Sequence, residues 1–292
     1  MKYTGTIYRP PIEANTLLLQ VTVGCAHNKC SYCTMYKDVR FSTESLEQIE
    51  KDLQEASEVY GDLRRIFLIN GDAFVLSANR LKPIAELIIK YFPNMEIITM
   101  YAAIRNIMDK TDKELEELYN LRINDLWVGL ETGHEETLKN MNKGFTLKDS
   151  YEQLERLNKA KIRHNGILML GSSGKGKGIE AAIDTVKLIN KTKPQLLGVT
   201  TLGFFDGSKI TEDVKNKTFI PATELEVLEE EKKIIELIEV EDIPFYGSHP
   251  INATSITGLL PRDKEKMIKI IDDSIKNTDE KLLNGVTKRN SL

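Results

Sequence analysis

Val23-Gly24-Cys25-Ala26-His27-Asn28-Lys29-Cys30-Ser31-Tyr32-Cys33-Thr34-Met35-Tyr36 holds all three cysteines of the chain, in the spacing C-x4-C-x2-C. It follows directly on Leu17-Leu18-Leu19-Gln20-Val21-Thr22-Val23, a run with strand length and β-branched content that Gly24 ends. The spacing therefore puts three thiols on a loop at the C-terminal end of a first strand. Thiolates that close repel one another unless a metal takes up their charge, and soft sulfur selects iron–sulfur clusters or zinc. Such sites usually take four protein ligands, so three cysteines leave one metal position open. The residues alone allow three readings. The first is a cubane 4Fe-4S cluster with one open iron. The second is zinc with His27 as a fourth ligand, and the third is a chance grouping of buried cysteines. His27, Asn28, Lys29 and Ser31 between the thiols are unlike an apolar core segment, which places the cluster first.

Beyond this loop the chain alternates strand and helix. Thr43 to Tyr60 has the spacing of an amphipathic helix, with Leu46, Ile49, Leu53 and Ala56 on one face. Arg65 to Asn70 reads as a second strand, Met95 to Tyr101 as a third, Leu126 to Leu130 as a fourth, Asn165 to Leu170 as a fifth and Leu196 to Leu202 as a sixth. Helices are expected over Arg80 to Tyr91, from the capping box Thr111-x-x-Glu114 to Leu121, from Thr146, and over Ile179 to Asn190. Repeated β-then-α order argues for a parallel sheet covered by helices, an α/β fold. Six units suit a partial (β/α)6 TIM-like barrel better than a closed eight-stranded one. Chemistry in such folds sits at the C-terminal strand ends, where the cysteine loop lies.

The division expected is a barrel core, residues 1–202, and a mostly helical C-terminal extension, residues 203–292, packed on it. Met1 to Ala14 reads as an extended entry in which Pro10-Pro11 forbids a helix. In the extension, Gly203 to Pro221 reads as loop and Thr223-x-x-Glu226 caps a helix to Val240. Phe245 to Gly258 reads as irregular, Pro261-Arg262-Asp263 opens a last helix, and Thr287 to Leu292 reads as a mobile tail. With 41% hydrophobic and 29% charged residues the composition is that of an ordinary globular protein. A net charge of -4 gives no general support for nucleic-acid binding. Met1 to Asn15 lacks the apolar segment of a signal peptide, and no run is long enough to span a membrane. With reduced thiols implied, the cytoplasm is the expected compartment.

The cysteine stretch also resembles the radical S-adenosylmethionine (SAM) superfamily, over roughly Leu17 to Phe205, and within it most resembles the elongator and coproporphyrinogen-oxidase group and its small bacterial members. The resemblance implies that Cys25, Cys30 and Cys33 hold a 4Fe-4S cluster whose fourth iron binds SAM through its amino and carboxylate groups. Tyr32 matches the aromatic residue before the last cysteine. Most members have C-x3-C-x2-C, so this chain carries one extra residue between Cys25 and Cys30.

Later motifs extend the likeness. Asn70-Gly71-Asp72 resembles the Gly-Gly-Glu type motif that contacts the SAM amino group, with Asp72 in place of Glu. Gly129-Leu130-Glu131-Thr132-Gly133 resembles the G-x-E-S-G segment, with Thr for Ser, which implies a ribose or substrate contact for Glu131. Lys143 stands where related enzymes place a basic residue near the SAM carboxylate, and Gly166 to Gly171 resembles the strand that lines the adenine. The family implies reductive SAM cleavage by an electron from an external flavodoxin- or ferredoxin-type donor, then hydrogen abstraction from a substrate the sequence does not name. A metal-binding protein with a structural iron–sulfur or zinc site and no SAM chemistry is the alternative. Gly203 to Leu292 has no cysteine for a second cluster and is shorter than a cobalamin-binding domain, so a single-cluster reaction is expected.

Gly171-Ser172-Ser173-Gly174-Lys175-Gly176-Lys177-Gly178 matches a phosphate loop except at its last position, where Gly178 replaces the magnesium-binding Ser or Thr. It reads instead as a flexible basic loop near the barrel mouth, suited to an anionic substrate. His249 is a lone histidine in the extension that reads first as structural, with a proton-donor or substrate contact at the barrel mouth as the alternative.

Overall fold

The computed structural model describes residues 1–289. In chain order the strands and helices are β1 Leu17–Gln20, β2 Thr22–Val23, β3 Ser42–Thr43, α1 Leu46–Val59, β4 Arg65–Ile69, α2 Ala78–Tyr91, β5 Ile97–Ala102, α3 Ile104–Met108, α4 Asp112–Asn120 and β6 Ile123–Glu131. There follow α5 Glu135–Asn140, α6 Leu147–Lys159, β7 Arg163–Leu170, α7 Gly178–Thr192, β8 Leu196–Thr201, α8 Lys209–Lys215, α9 Glu224–Leu237, β9 Ile243–Tyr246, β10 Thr257–Leu260, α10 Lys264–Asn277 and α11 Glu280–Leu283. This is the α/β, partial (β/α)6 TIM-like order that the alternation predicts, with β1, β4, β5, β6, β7 and β8 as its six strands. Two compact units divide it. The first holds residues 1–28, 36–129 and 152–164; the second holds 29–35, 130–151 and everything from 165 on. The expected core 1–202 and extension 203–292 are a different division, made by sequence order rather than by packing.

In the first unit β1, β4, β5 and β6 pair in that order, all parallel, with Leu18 beside Phe67, Leu68 beside Met100 and Met100 beside Leu126. Phe67 and Tyr101 meet edge to face at 5.2 Å. The helix α1 begins where the Ser45 side chain accepts from Gln48 N at 3.1 Å, and it buries Ile49, Leu53 and Ala56. The N-terminal ends of the strands are closed by a polar network. Glu13, 2% exposed, accepts from Trp127 Nε1 at 3.1 Å, from Thr16 Oγ1 at 2.6 Å and from Arg65 Nε at 3.0 Å. Arg65 also reaches Asp125 at 2.8 Å. With that end filled, the C-terminal strand ends are left for chemistry.

In the second unit β7, β8 and β9 run parallel and β10 returns antiparallel, with Leu170 beside Thr201, Gly198 beside Tyr246 and Phe245 beside Gly258. The helix α7 packs on α9; α7 buries Ala181, Ala182, Leu188 and Ile189, and α9 buries Val227, Ile234 and Ile235.

Four sequence expectations are corrected. Phe245 to Gly258 is not irregular throughout: its ends lie in β9 and β10. Pro244 and Gly258 hide them from a strand pattern, yet a Cβ on Gly258 would come within 2.5 Å of Met267 Sδ, so glycine is what lets α10 approach. Gly203 to Pro221 contains α8, whose first turn is capped by Ser208. Pro11 opens a single 3-10 turn, Pro11–Glu13, where a missing N–H costs nothing. The expected mobile tail Thr287 to Leu292 lies partly outside the described residues. Within them Arg289 is fixed: its guanidinium donates to Glu224 at 2.7 Å and to Ile251 O at 2.7 Å, with both side chains under 10% exposed. Among the described residues no helix is long and apolar enough to cross a membrane.

Candidate functional site

Cys25 belongs to the first unit and Cys30 and Cys33 to the second. All three are thiols rather than disulfides, and each is half-buried.

In the first unit, Gly71 follows the C-terminal end of β4 at φ +56°, and a Cβ there would overlap Gly24 O and lie 3.0 Å from Cys25 Cα. Only glycine lets the strand-end turn press directly on the backbone of the first cysteine. Gly71 N donates to Tyr36 Oη at 3.1 Å, and Asn28 Nδ2 donates to Tyr36 O at 2.6 Å, so Tyr36 ties the loop's far end to β4. Asp72, 6% exposed, accepts from Ala26 N at 3.3 Å and is ion-paired with Arg105. Burial, with Asp72's negative charge adding to it, pushes the Cys25 thiol up to about 11. The sequence reading missed Arg105. It lies just past the C-terminal end of β5, and the strand-end rule that found Asp72 would have found it too.

In the second unit, three consecutive residues after α5 act as a clamp. Met141 O accepts from Ser31 N at 3.0 Å, Asn142 Nδ2 donates to Lys29 O at 2.9 Å, and the Lys143 ammonium is ion-paired with Glu131. Glu131, the last residue of β6, is at φ +63°, which turns the chain sharply at the strand end. Tyr32 Oη donates to Glu131 Oε1 at 2.9 Å, and Lys143 Nζ donates to Tyr32 Oη at 3.4 Å. The Lys143 ammonium lies 6.0 Å from the Tyr32 ring centre and 5.8 Å from that of Phe145. Tyr32, Glu131 and Lys143, separated by up to 111 positions, are thus one buried cluster beside the Cys30–Cys33 turn, in which Cys33 N donates to Cys30 O at 3.4 Å. Burial first, then the charges of Glu131 and the two cysteines, raise the Tyr32 hydroxyl well above its ordinary value.

Gly171 is not part of that cluster. Its N–H donates to the buried Glu230 at 2.8 Å, and a Cβ there would meet Val227 at 3.2 Å, so Gly171 faces α9. The glycine-rich loop after it is pinned rather than free: Gly176 N donates to Glu226 at 2.8 Å and Lys175 N to Ile220 O at 2.9 Å. These bonds correct the expectation of a flexible loop, and the Lys177 ammonium is itself paired with Glu136 at 2.9 Å. His249 Nδ1 accepts from Ile251 N at 3.3 Å, so the histidine is bonded within its own loop. A cavity of about 500 Å³ opens in the second unit between Gly133, His134, Leu147, Tyr151, Asp184 and Lys187; Gly133 closes the motif that began at Gly129, while Tyr32, Glu131, Lys143 and Gly171 do not line the cavity.

The donor set of three thiols suits a group that binds soft ligands. Among the described residues no three His, Cys, Asp or Glu side chains converge where a single metal ion would sit. In donor chemistry the three thiols are what an iron–sulfur cluster takes, whichever unit each belongs to.

Comparison with known proteins agrees. The model of the radical SAM superfamily matches residues 19–189, more than half of the chain. An uncharacterized protein of Methanocaldococcus jannaschii is 21% identical over 72% of this chain and 66% of its own length. Among solved structures, the radical SAM methyltransferase TsrM of Kitasatospora setae, with cobalamin and a [4Fe-4S] cluster bound, superposes with a TM-score of 0.56 at 16% identity, over 69% of this chain and 39% of that one. The archaeal Elp3 of Methanocaldococcus infernus superposes with a TM-score of 0.53 at 14% identity, over 88% and 63%. At such identities the structural likeness speaks for the fold, and the chain spans less than two thirds of each of these proteins.

Proposed function

The chain belongs to the radical SAM superfamily, and we propose from that premise that it is an enzyme using one 4Fe-4S cluster and SAM to take a hydrogen atom from its substrate. The observation that carries this reading is the set of three thiols, Cys25, Cys30 and Cys33, with no fourth cysteine anywhere in the sequence. When bound, the cluster and SAM supply one-electron reductive cleavage that yields methionine and a 5′-deoxyadenosyl radical, the chemistry that belongs to the cofactor rather than the protein.

The chain's own residues bind, orient and shield. Cys25, Cys30 and Cys33 would hold the cluster by three of its irons, and the fourth would be left for SAM. Asp72 offers a carboxylate to the SAM ammonium, a charge-assisted contact, and Arg105 and Ala26 N hold that carboxylate in place. Glu131 and Lys143 neutralise one another while presenting an acceptor for ribose hydroxyls and a cation for the SAM carboxylate. Tyr32 fixes Glu131 through its hydroxyl. Gly171, turned to α9, shapes the backbone of the adenine side. The electron comes from a flavodoxin- or ferredoxin-type donor, and the substrate enters at the C-terminal strand ends.

The test is anaerobic incubation of the reconstituted protein with SAM, dithionite and deuterated cell extract. Deuterium should appear in 5′-deoxyadenosine. Unlabelled 5′-deoxyadenosine alone, or S-adenosylhomocysteine as the main product, would overturn hydrogen abstraction.

A further inference from the structure

The cysteine loop is held by a segment outside residues 19–189, the span common to the superfamily. The first amides of a helix have no partner within it. In α8 the Ser208 side chain accepts from Thr211 N at 3.3 Å, and the amide of Ile210 donates to Ser31 O at 2.9 Å. Ser31 lies between Cys30 and Cys33 and is 8% exposed. Its own N–H is taken by Met141 O, and the carbonyl of Lys29 by Asn142. The backbone that spaces two of the three thiols thus hangs from two elements, the end of α5 and the start of α8. Ser208 is fixed in turn, its N and Oγ donating to Phe205 O at 3.1 and 2.8 Å.

We propose that α8 is a positioning element for the cysteine loop, its Ile210 amide holding the Cys30–Cys33 turn in the form that presents both thiols to the cluster. The identity of the group rests on the radical SAM reading; the contact does not. Residues past Gly203 then set how firmly the cluster is retained, which gives the segment after β8 a task at the site.

The experiment compares three full-length variants. Ile210→Pro removes the one N–H in a first turn that tolerates proline. Lys209→Pro places the ring one residue earlier and keeps that N–H. Ile210→Gly keeps the N–H and removes the side chain. In reduced, iron-free protein, iodoacetamide should alkylate Cys30 and Cys33 about tenfold faster in Ile210→Pro, the fold-change of one lost hydrogen bond. Cys25 and both other variants should stay within about twofold of wild type by the same measure. After reconstitution, Ile210→Pro alone should release iron faster to a chelator. Unchanged Cys30 and Cys33 rates in a folded Ile210→Pro, or an equal rise at all three cysteines, would overturn the proposal. If Ile210→Pro does not fold, hydrogen exchange in wild type decides: exchange at Ile210 should slow on iron loading, and an unchanged rate overturns the proposal. A wild type that takes up no iron would sink the proposed function, while the alkylation rates would still judge the role of α8.

Discussion

Replacing Lys143 with methionine leaves the Glu131 carboxylate buried without its cation. The two side chains are 7% and 6% exposed, so water cannot take over the charge. Breaking a buried ion pair from one side costs about 3–5 kcal/mol. Tyr32 Oη still donates to Glu131 at 2.9 Å, which puts Lys143→Met near the low end, about 3 kcal/mol. Glu131→Gln strands the ammonium instead. The Tyr32 hydroxyl and the rings of Tyr32 and Phe145 remain beside it, and such ring contacts are worth about 0.5–2 kcal/mol, so the cost falls to about 2 kcal/mol. The double variant has no uncompensated charge and should lie within about 1 kcal/mol of wild type. The coupling between the two positions is then at least about 4 kcal/mol. Urea denaturation of iron-free protein, followed by circular dichroism and by the fluorescence of the single tryptophan, Trp127, measures all four proteins. Additive costs, or single costs below about 1 kcal/mol, would show that the two charges do not depend on each other.

Asp72→Ala should weaken SAM binding by about 1.5–3 kcal/mol, one charged hydrogen bond, with iron content unchanged; calorimetric titration of the loaded protein checks it, and equal affinity removes Asp72 from the site. Gly71→Ala should destabilise by more than about 2 kcal/mol, since a methyl at φ +56° meets the backbone of Gly24 and Cys25; an unshifted melting curve would contradict that packing. Burial pushes the carboxyls of Glu230 and Glu231 up to about 8, Glu230's charge adding to the effect on Glu231. A folded pKa raised above the unfolded one gives stability that is full below the unfolded value and lost as pH rises through the folded value. Stability should therefore fall between pH 5 and pH 8 by about 1 kcal/mol per pH unit for each group, and Glu231→Gln should flatten part of that slope. Parallel slopes for wild type and variant would rule this out.

Much of this was legible in the chain because local chemistry and long-range position coincide at strand ends. The cysteine spacing, Gly71 and Glu131 each close an apolar run, and an apolar run that stops at such residues is visible without a structure. Tyr32, Glu131 and Lys143 could be named one by one, but not their contact, which depends on the Met141-Asn142-Lys143 clamp folding back on the cysteine loop. Arg105 carries no motif of its own, and only its place just past the end of β5 marks it. The contact of Ile210 with Ser31 is a backbone bond, independent of side-chain identity, so no residue type announces it. The glycine-rich loop misled for the opposite reason: its composition suggests freedom, while Glu226 and Glu230, some fifty residues later, take its amides. Pro244 and Gly258 similarly concealed β9 and β10, which are set by their partners, β9 by β8 and β10 by β9, rather than by their own propensities.

The most direct measurement is the product of SAM on the anaerobically reconstituted protein with dithionite and no added substrate. A brown protein with about four irons per chain should release 5′-deoxyadenosine and methionine in equal amounts, and Cys30→Ala should be colourless and release neither. A colourless wild-type protein that keeps one tight zinc and leaves SAM intact would contradict it.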